Sequence, residues 1–225
     1  MTLRTLLSET PHVLLDFDGP VCAVFSSITS AQATEALASS LRGLGLAVPS
    51  ELGQSADPFE LLYFVAERAP QHSAAAERTL AELELKGVSG APATPHLSPM
   101  LDTLVRSGHT VTIVSNNSAR AARAFLDIQG LTHLLRGIIA RTDPDPALLK
   151  PDVHLLQVAA EELGATPAAC VLLGDSVTDM QAAQRFGARS IAFANKPQKL
   201  ESLRDARPDA LVSSLAEVTD ALQAA

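Results

Sequence analysis

From about residue 99 to the C-terminal end, short aliphatic or β-branched runs alternate with amphipathic stretches of helical period. Thr110–Asn117 (TVTIVSNN), Gly137–Ala140, Ala169–Leu173, Ser190–Ala194 and Ala210–Ser213 read as strands. Between them, Met100–Ser107, residues 118–129, Pro151–Leu163, Thr178–Phe186 and the last segment read as helices. Gly108, Gly130, Gly164 and Gly187 stand where four of these should stop. One earlier run, His12–Phe17, adds a further strand. Neighbouring parallel strands need long crossovers, usually helical, and those crossovers are right-handed. Alternation of this kind therefore points to a parallel sheet covered by helices on both faces.

Residues 20–95 break the pattern. Residues 26–44 are rich in helix formers and run into glycine. Asp57-Pro58 opens PFELLYFVAERA, with Asp57 expected as N-cap and Pro58 at the first helical position. Ser73 begins another amphipathic helix, and the Pro-rich GAPATPHLSP closes the block at residues 90–99. The expected fold class is α/β: a three-layer α/β/α, Rossmann-like core with a parallel sheet, formed by residues 1–19 and 96–225. An all-helical cap domain, residues 20–95, is inserted after the first strand.

The chain of 225 residues is 47 % hydrophobic, enough for a core built on Ala, Leu, Val and Phe in the absence of Trp. Its formal net charge is −8 with no basic run, which argues against a nucleic-acid partner. Cys22 and Cys170 have no metal spacing and no disulfide framework around them, although a bridge between the two stays open. No apolar run reaches the length of a membrane span, and the N-terminal MTLRTLLSETPHV lacks a signal-peptide core. A cytoplasmic protein, monomer or homodimer, with no membrane partner, is expected.

The chemistry gathers at the strand ends, where open α/β sheets bind ligands. The first strand runs into DFDG, with Asp16 and Asp18 two residues apart. If the strand persisted, both side chains would leave one face. Two carboxylates ~5 Å apart repel by roughly 3 kcal/mol at an effective dielectric near 20, so a cation is expected nearby. The second strand ends in Ser115-Asn116-Asn117, and a later one in GDSVTD, which carries Asp175 and Asp179. Four carboxylates, a hydroxyl and two amides would face one crevice, a hard oxygen set that suits magnesium. Lys150, in ALLKPD, is one of only four lysines against 13 arginines, which singles it out.

Taken in order, DFDG, VSNN, KP and GDSVTD resemble the four motifs of the haloacid dehalogenase superfamily, and the helical insertion resembles the type-one cap of phosphoglycolate phosphatase-like members. The resemblance covers essentially the whole chain. It implies a magnesium-dependent phosphatase that hydrolyses a small phosphorylated metabolite through an aspartyl-phosphate. Asp16 would be the nucleophile and Asp18 the general acid and base. Mg2+ would be held by the Asp16 carboxylate, the Asp18 backbone carbonyl and Asp175. Lys150 would neutralise charge on Asp16 and the phosphoryl group, and Ser115 and Asn116 would bind phosphoryl oxygens. Gly19, Gly174 and Asp179 would support the site, Asp179 by steadying metal waters or orienting Lys150. The chain departs from the family pattern at Pro20, where Thr or Val is usual, and at Asn117, where many such members carry Lys.

Other readings compete. A phosphomutase resembling β-phosphoglucomutase would use the same core residues. An inactive homologue could serve as a binding module. A receiver domain would be half as long and would place its lysine last. Cys22 is expected to pack beneath the cap hinge, His96 and His109 to be loop or surface residues, and Arg42 and Arg68 to form surface ion pairs. Phe59, Tyr63 and Phe64, one helical turn apart, are expected in the cap core or facing substrate. Lys196-Pro197 repeats the Lys-Pro pair but follows GDSVTD, out of order. The loops at 45–57 and 86–98 are candidates for selecting the leaving group.

Overall fold

The computed structural model describes residues 1–223. Six strands, β1 (His12–Leu15), β2 (Thr110–Ser118), β3 (Gly137–Arg141), β4 (Cys170–Gly174), β5 (Arg189–Phe193) and β6 (Ala210–Val212), form one sheet in the order β3-β2-β1-β4-β5-β6. Every pairing is parallel; His12 aligns with Thr110 on one side and Cys170 on the other. The α/β class read from the alternation is the observed one. The order of connections reverses at β1, so the crevice beyond the ends of β1 and β4 is where such a sheet binds ligands.

Side-chain alternation explains the layers. Val13, Leu15, Val111, Ile113, Val171 and Leu173 point to one face. There they meet helices α1 (Leu3–Glu9), α6 (Leu97–Arg106), α7 (Ala119–Ile128) and α11 (Ala216–Gln223). Leu14, Val114 and Leu172 point the other way, onto α8 (His154–Leu163) and α9 (Val177–Phe186). Each fully buried Leu or Val here contributes on the order of 1.5–3 kcal/mol. Phe17 and Phe125 meet edge to face at 5.7 Å in the first layer.

Between β1 and β2 lie α2 (Ser30–Gly43), α3 (Ser50–Gly53), α4 (Phe59–Arg68) and α5 (Ser73–Val88). They bury their own cluster, which includes Leu37, Leu41, Leu61, Val65 and Leu80. The helix expected from residue 26 begins at Ser30. Thr29 accepts from the Gln32 N–H, and the Gln32 side chain accepts from the Thr29 N–H; this capping box sets the start. The N-cap of α4 is Pro58, not Asp57 as expected, and the helix opens at Phe59; the Asp57 carboxylate, one position earlier, still accepts from the Phe59 N–H. The helix expected from Pro151 starts at His154, where Asp152 accepts from the His154 N–H. The short helices α1, α3 and α10 (Leu200–Asp205) were not anticipated.

Candidate active site

β1 stops at Leu15, so the strand geometry does not extend to Asp18 as the sequence suggested. Asp16 directly follows the strand, its N–H donating to the Leu173 carbonyl of β4 at 2.9 Å. Asp18 lies in the turn beyond, and its Oδ1 accepts from the Val24 N–H at 2.9 Å. Both still line one cavity of about 390 Å³, together with Ser115, Asn116, Lys150, Asp175 and Asp179. The topology thus brings the six predicted catalytic, phosphate-binding and metal-binding residues, and the supporting Asp179, to one crevice. Asn117, Ser176, Thr178, Leu149 and Pro151 line it as well, and Asp57, Phe59 and Tyr63 face it from α4 and the turn before it.

Lys150 is the electrostatic centre. Its ammonium donates to Asp16 Oδ1 at 2.7 Å, to Asp179 Oδ1 at 2.6 Å and to the Val114 carbonyl at 2.9 Å. All three donors are thereby used. Burial works to lower its pKa, but the two carboxylates overcome that and hold the ammonium charged well above the usual lysine range. The Asn116 side chain clamps the lysine loop: its Nδ2 donates to the Lys150 carbonyl, and its Oδ1 accepts from the Lys150 N–H. Ser115 donates its hydroxyl to Asn117 Oδ1 at 3.2 Å.

The crowding inferred between Asp16 and Asp18 falls elsewhere. Oxygens of Asp16, Asp175 and Asp179 lie within 4.8 Å of one another. Burial, followed by the Asp179 charge, raises Asp16 to about 7 despite Lys150. Asp18 is pushed up to about 6, first by desolvation within the cleft and against the pull of the Val24 N–H. Asp175 is also raised, by burial first, with Lys199 opposing. Oxygen-only donors, mutually repelling and short of countercharge, fit a hard divalent cation. Asp179 has the poorest claim as a ligand, because Lys150 holds one oxygen and the Ser176 hydroxyl and N–H hold the other.

Two glycines are required by contact. Gly19 has φ +101°, and a Cβ there would sit 2.1 Å from Asp175 Oδ2. A Cβ on Gly174 would lie 2.4 Å from the Asp179 carboxyl. Pro20 is accommodated because the turn closes without its N–H. The Val21 and Cys22 N–H groups both donate to the Phe17 carbonyl, and the Thr94 hydroxyl donates to the Gly19 carbonyl.

Several participants escaped sequence reasoning. Glu84 on α5 is fully buried and accepts from Asn117 Nδ2, the Ser118 N–H and the Arg141 guanidinium. Arg141 also donates to Glu77 and to the Asn116 carbonyl, and its guanidinium carbon lies 5.9 Å from the centre of the Phe59 ring. This network ties the helical insertion to the C-terminal end of β2, where the β2–β3 register shifts between Ser115 and Ser118. Glu84 stood unremarked in AELELKG; charge at one of its inward positions was the available signal. Lys199 and Asn195 both donate to Asp175 Oδ2. Lys196 does not replace Lys150, which alone reaches Asp16. Cys22 and Cys170 are buried free thiols, and burial pushes the Cys22 thiol up. Arg42 and Arg68 pair with Glu35 and Glu67 at the surface. Phe59 and Phe64 both pack against the insertion's own core, and Phe59 together with Tyr63 also lines the cavity. His109 Nε2 donates to the Leu7 carbonyl, and His96 adopts a left-handed conformation before α6.

No described helix is long and apolar enough to cross a membrane. The first curated relative, phosphoglycolate phosphatase of Aliivibrio fischeri, is 30 % identical over 115 residues, 51 % of this chain and 50 % of the relative. Pyrophosphatase PpaX of Oceanobacillus iheyensis is 25 % identical over 126 residues, 56 % and 58 % of the two chains. The chain thus spans about half the length of the curated relatives it matches. A haloacid dehalogenase-like family hydrolase from Streptococcus pneumoniae superposes with a TM-score of 0.69 at 19 % identity, over 96 % of this chain and 100 % of that one, a likeness of fold. The family model for haloacid dehalogenase-like hydrolases matches residues 10–187, and with that match the chain belongs to the haloacid dehalogenase-like hydrolase family.

Proposed function

We propose that this chain is a phosphatase that hydrolyses a small phosphorylated metabolite through an aspartyl-phosphate on Asp16. The observation that carries the reading is the Asp16 carboxylate at the wall of the cavity, salt-bridged to a fully engaged Lys150 and flanked by Asp18. On this reading residues 1–19 and 96–225 are the catalytic core and 20–95 its cap. Relatives named phosphoglycolate phosphatase and pyrophosphatase support phosphoryl chemistry.

Asp16 attacks phosphorus, and the bond to the leaving oxygen breaks as Asp18 gives that oxygen its proton. An Asp18 carboxyl raised to about 6 can hold that proton near neutral pH more readily than an ordinary aspartate. Water then attacks the phosphorus of the aspartyl-phosphate, giving its proton to Asp18, and the bond to Asp16 breaks. The Ser115 hydroxyl and the Asn116 backbone N–H bind phosphoryl oxygens, while Lys150, its three donors engaged, neutralises charge on Asp16 and the phosphoryl group. Asp16, Asp175 and the Asp18 backbone carbonyl would hold Mg2+, which supplies positive charge against the phosphoryl oxygens when bound. Asp179 keeps Lys150 in place. The acidic balance argues against nucleic-acid partners, and the two free thiols accord with a cytoplasmic setting.

The test is phosphate release from p-nitrophenyl phosphate with magnesium or with EDTA, using the parent and Asp16→Asn. The reading expects release only from the parent with magnesium. Equal release from Asp16→Asn would remove the nucleophile and with it the mechanism.

A further inference from the structure

We infer that the cap selects phosphate monoesters whose leaving group carries no second anion, with an organic cation such as a protonated amine or quaternary ammonium preferred. This rests on the phosphatase reading and adds to it the class of leaving group.

The cavity's lining is the first observation. Among the described residues lining it, Lys150 is the one cation, and its three donors are consumed by Asp16, Asp179 and the Val114 carbonyl. On that reading the phosphoryl group would occupy the core end, beside Asp16 and Lys150. A leaving group must project toward the other end, which α4 and the turn before it supply through Asp57, Phe59 and Tyr63. A carboxylate or second phosphate placed there would meet a carboxylate and two aromatic rings, with no positive charge to receive it. An ammonium would meet the opposite: a counterion in Asp57 and ring faces suited to cations.

The surroundings strengthen the sign. The Tyr63 hydroxyl is pushed up, first by partial burial and then by the carboxylates of Asp57, Asp145 and Asp152, so the mouth is negative on both the cap and the core side. Arg141 beside Phe59 is not available as a receptor. Its side chain is 1 % exposed, and Glu77 and Glu84 hold its guanidinium. A second cavity of about 320 Å³ does contain Lys196 and Lys199, but it shares only Asp18 and Asp175 with the first. Asp16, Ser115, Asn116 and Lys150 do not line it, so its lysines stand apart from the nucleophile and the phosphoryl-binding residues.

The test compares kcat/KM, with magnesium, for phosphoethanolamine, phosphocholine, glycerol 3-phosphate, phosphoglycolate and pyrophosphate, on the parent and Asp57→Asn. The asparagine carbonyl can still accept from the Phe59 N–H, so the variant keeps the local fold. The inference expects the two cationic esters to exceed phosphoglycolate and pyrophosphate by ~10-fold or more, with glycerol 3-phosphate between them. Asp57→Asn should narrow the phosphoethanolamine-to-phosphoglycolate ratio by roughly 10-fold. Equal rates, a preference for either anionic probe, or a ratio that ignores Asp57→Asn would overturn it. Turnover of none of the probes would count against the phosphatase reading instead. In that case calorimetric binding of the same probes to Asp16→Asn decides the inference, which fails if the anionic probes bind as well as the cationic ones.

Discussion

Replacing Glu84 by Gln removes one charge from the buried link between α5 and the C-terminal end of β2 while keeping the side-chain volume. Glu84 accepts three hydrogen bonds, from Asn117 Nδ2, the Ser118 N–H and Arg141, at 3.1, 2.8 and 2.7 Å. An amide cannot accept all three; its NH2 must face at least one of these donors. Breaking a buried pair from one side costs ~3–5 kcal/mol, because the remaining charge stays desolvated. Here Glu77 still accepts from Arg141 at 2.8 Å, so the expected loss is the lower part, about 2–4 kcal/mol. Urea unfolding of the metal-free parent and Glu84→Gln measures it. A cycle with Arg141→Met should show a coupling of at least ~1.5 kcal/mol, since removing both charges relieves the penalty that removing one creates. The end of β2 that carries Asn116 and Asn117 should also loosen, raising KM more than it lowers kcat. A loss below ~1 kcal/mol with additive single variants would refute the assignment of a buried, strongly coupled pair.

Lys150→Met should leave Asp16 and Asp179 as uncompensated neighbours, costing ~3–5 kcal/mol in EDTA and abolishing phosphate release; urea unfolding and the release assay check both. Gly19→Ala should lower activity on the order of 100-fold with a much smaller change in stability, because its Cβ must displace the Asp175 carboxylate; kcat/KM beside a melting curve tests this. In EDTA, stability should respond to pH through Asp16, whose folded pKa of about 7 stands above the ordinary 3.8. Between those values the folded state binds more protons than the unfolded one, so this group's contribution falls as pH rises from about 4 to about 7. Asp16→Asn removes that contribution, so the melting temperature of the variant minus that of the parent should grow across this window, and a flat difference would contradict the shift.

The sheet was legible because β-branched runs and glycine stops repeat along residues 99–225, and the site's residues because polar clusters close three strands, β1, β2 and β4, with Lys150 in family order between the last two. Ser115, Lys150 and Asp175 needed only the parallel arrangement to converge. The Asp16–Asp18 repulsion was misplaced because β1 ends one residue before Asp16, which no periodicity marks. The Glu84–Arg141 link was illegible for a different reason. Its partners lie 57 positions apart in sequence, and each alone looks like an ordinary helix or strand-end charge. Lys199 was hidden in the same way, since its contact with Asp175 depends on how the short segment after β5 folds back.

The most direct test of the central claim uses Asp18→Asn with p-nitrophenyl phosphate, whose leaving group departs without a proton. Asp16 should then be phosphorylated while its hydrolysis, which needs Asp18 as base, stalls. The account predicts a stoichiometric burst of p-nitrophenolate with magnesium and, after acid quench, a peptide heavier by one phosphoryl group at Asp16. Steady turnover with no burst and an unmodified Asp16, or a phosphoryl group on another residue, would contradict it.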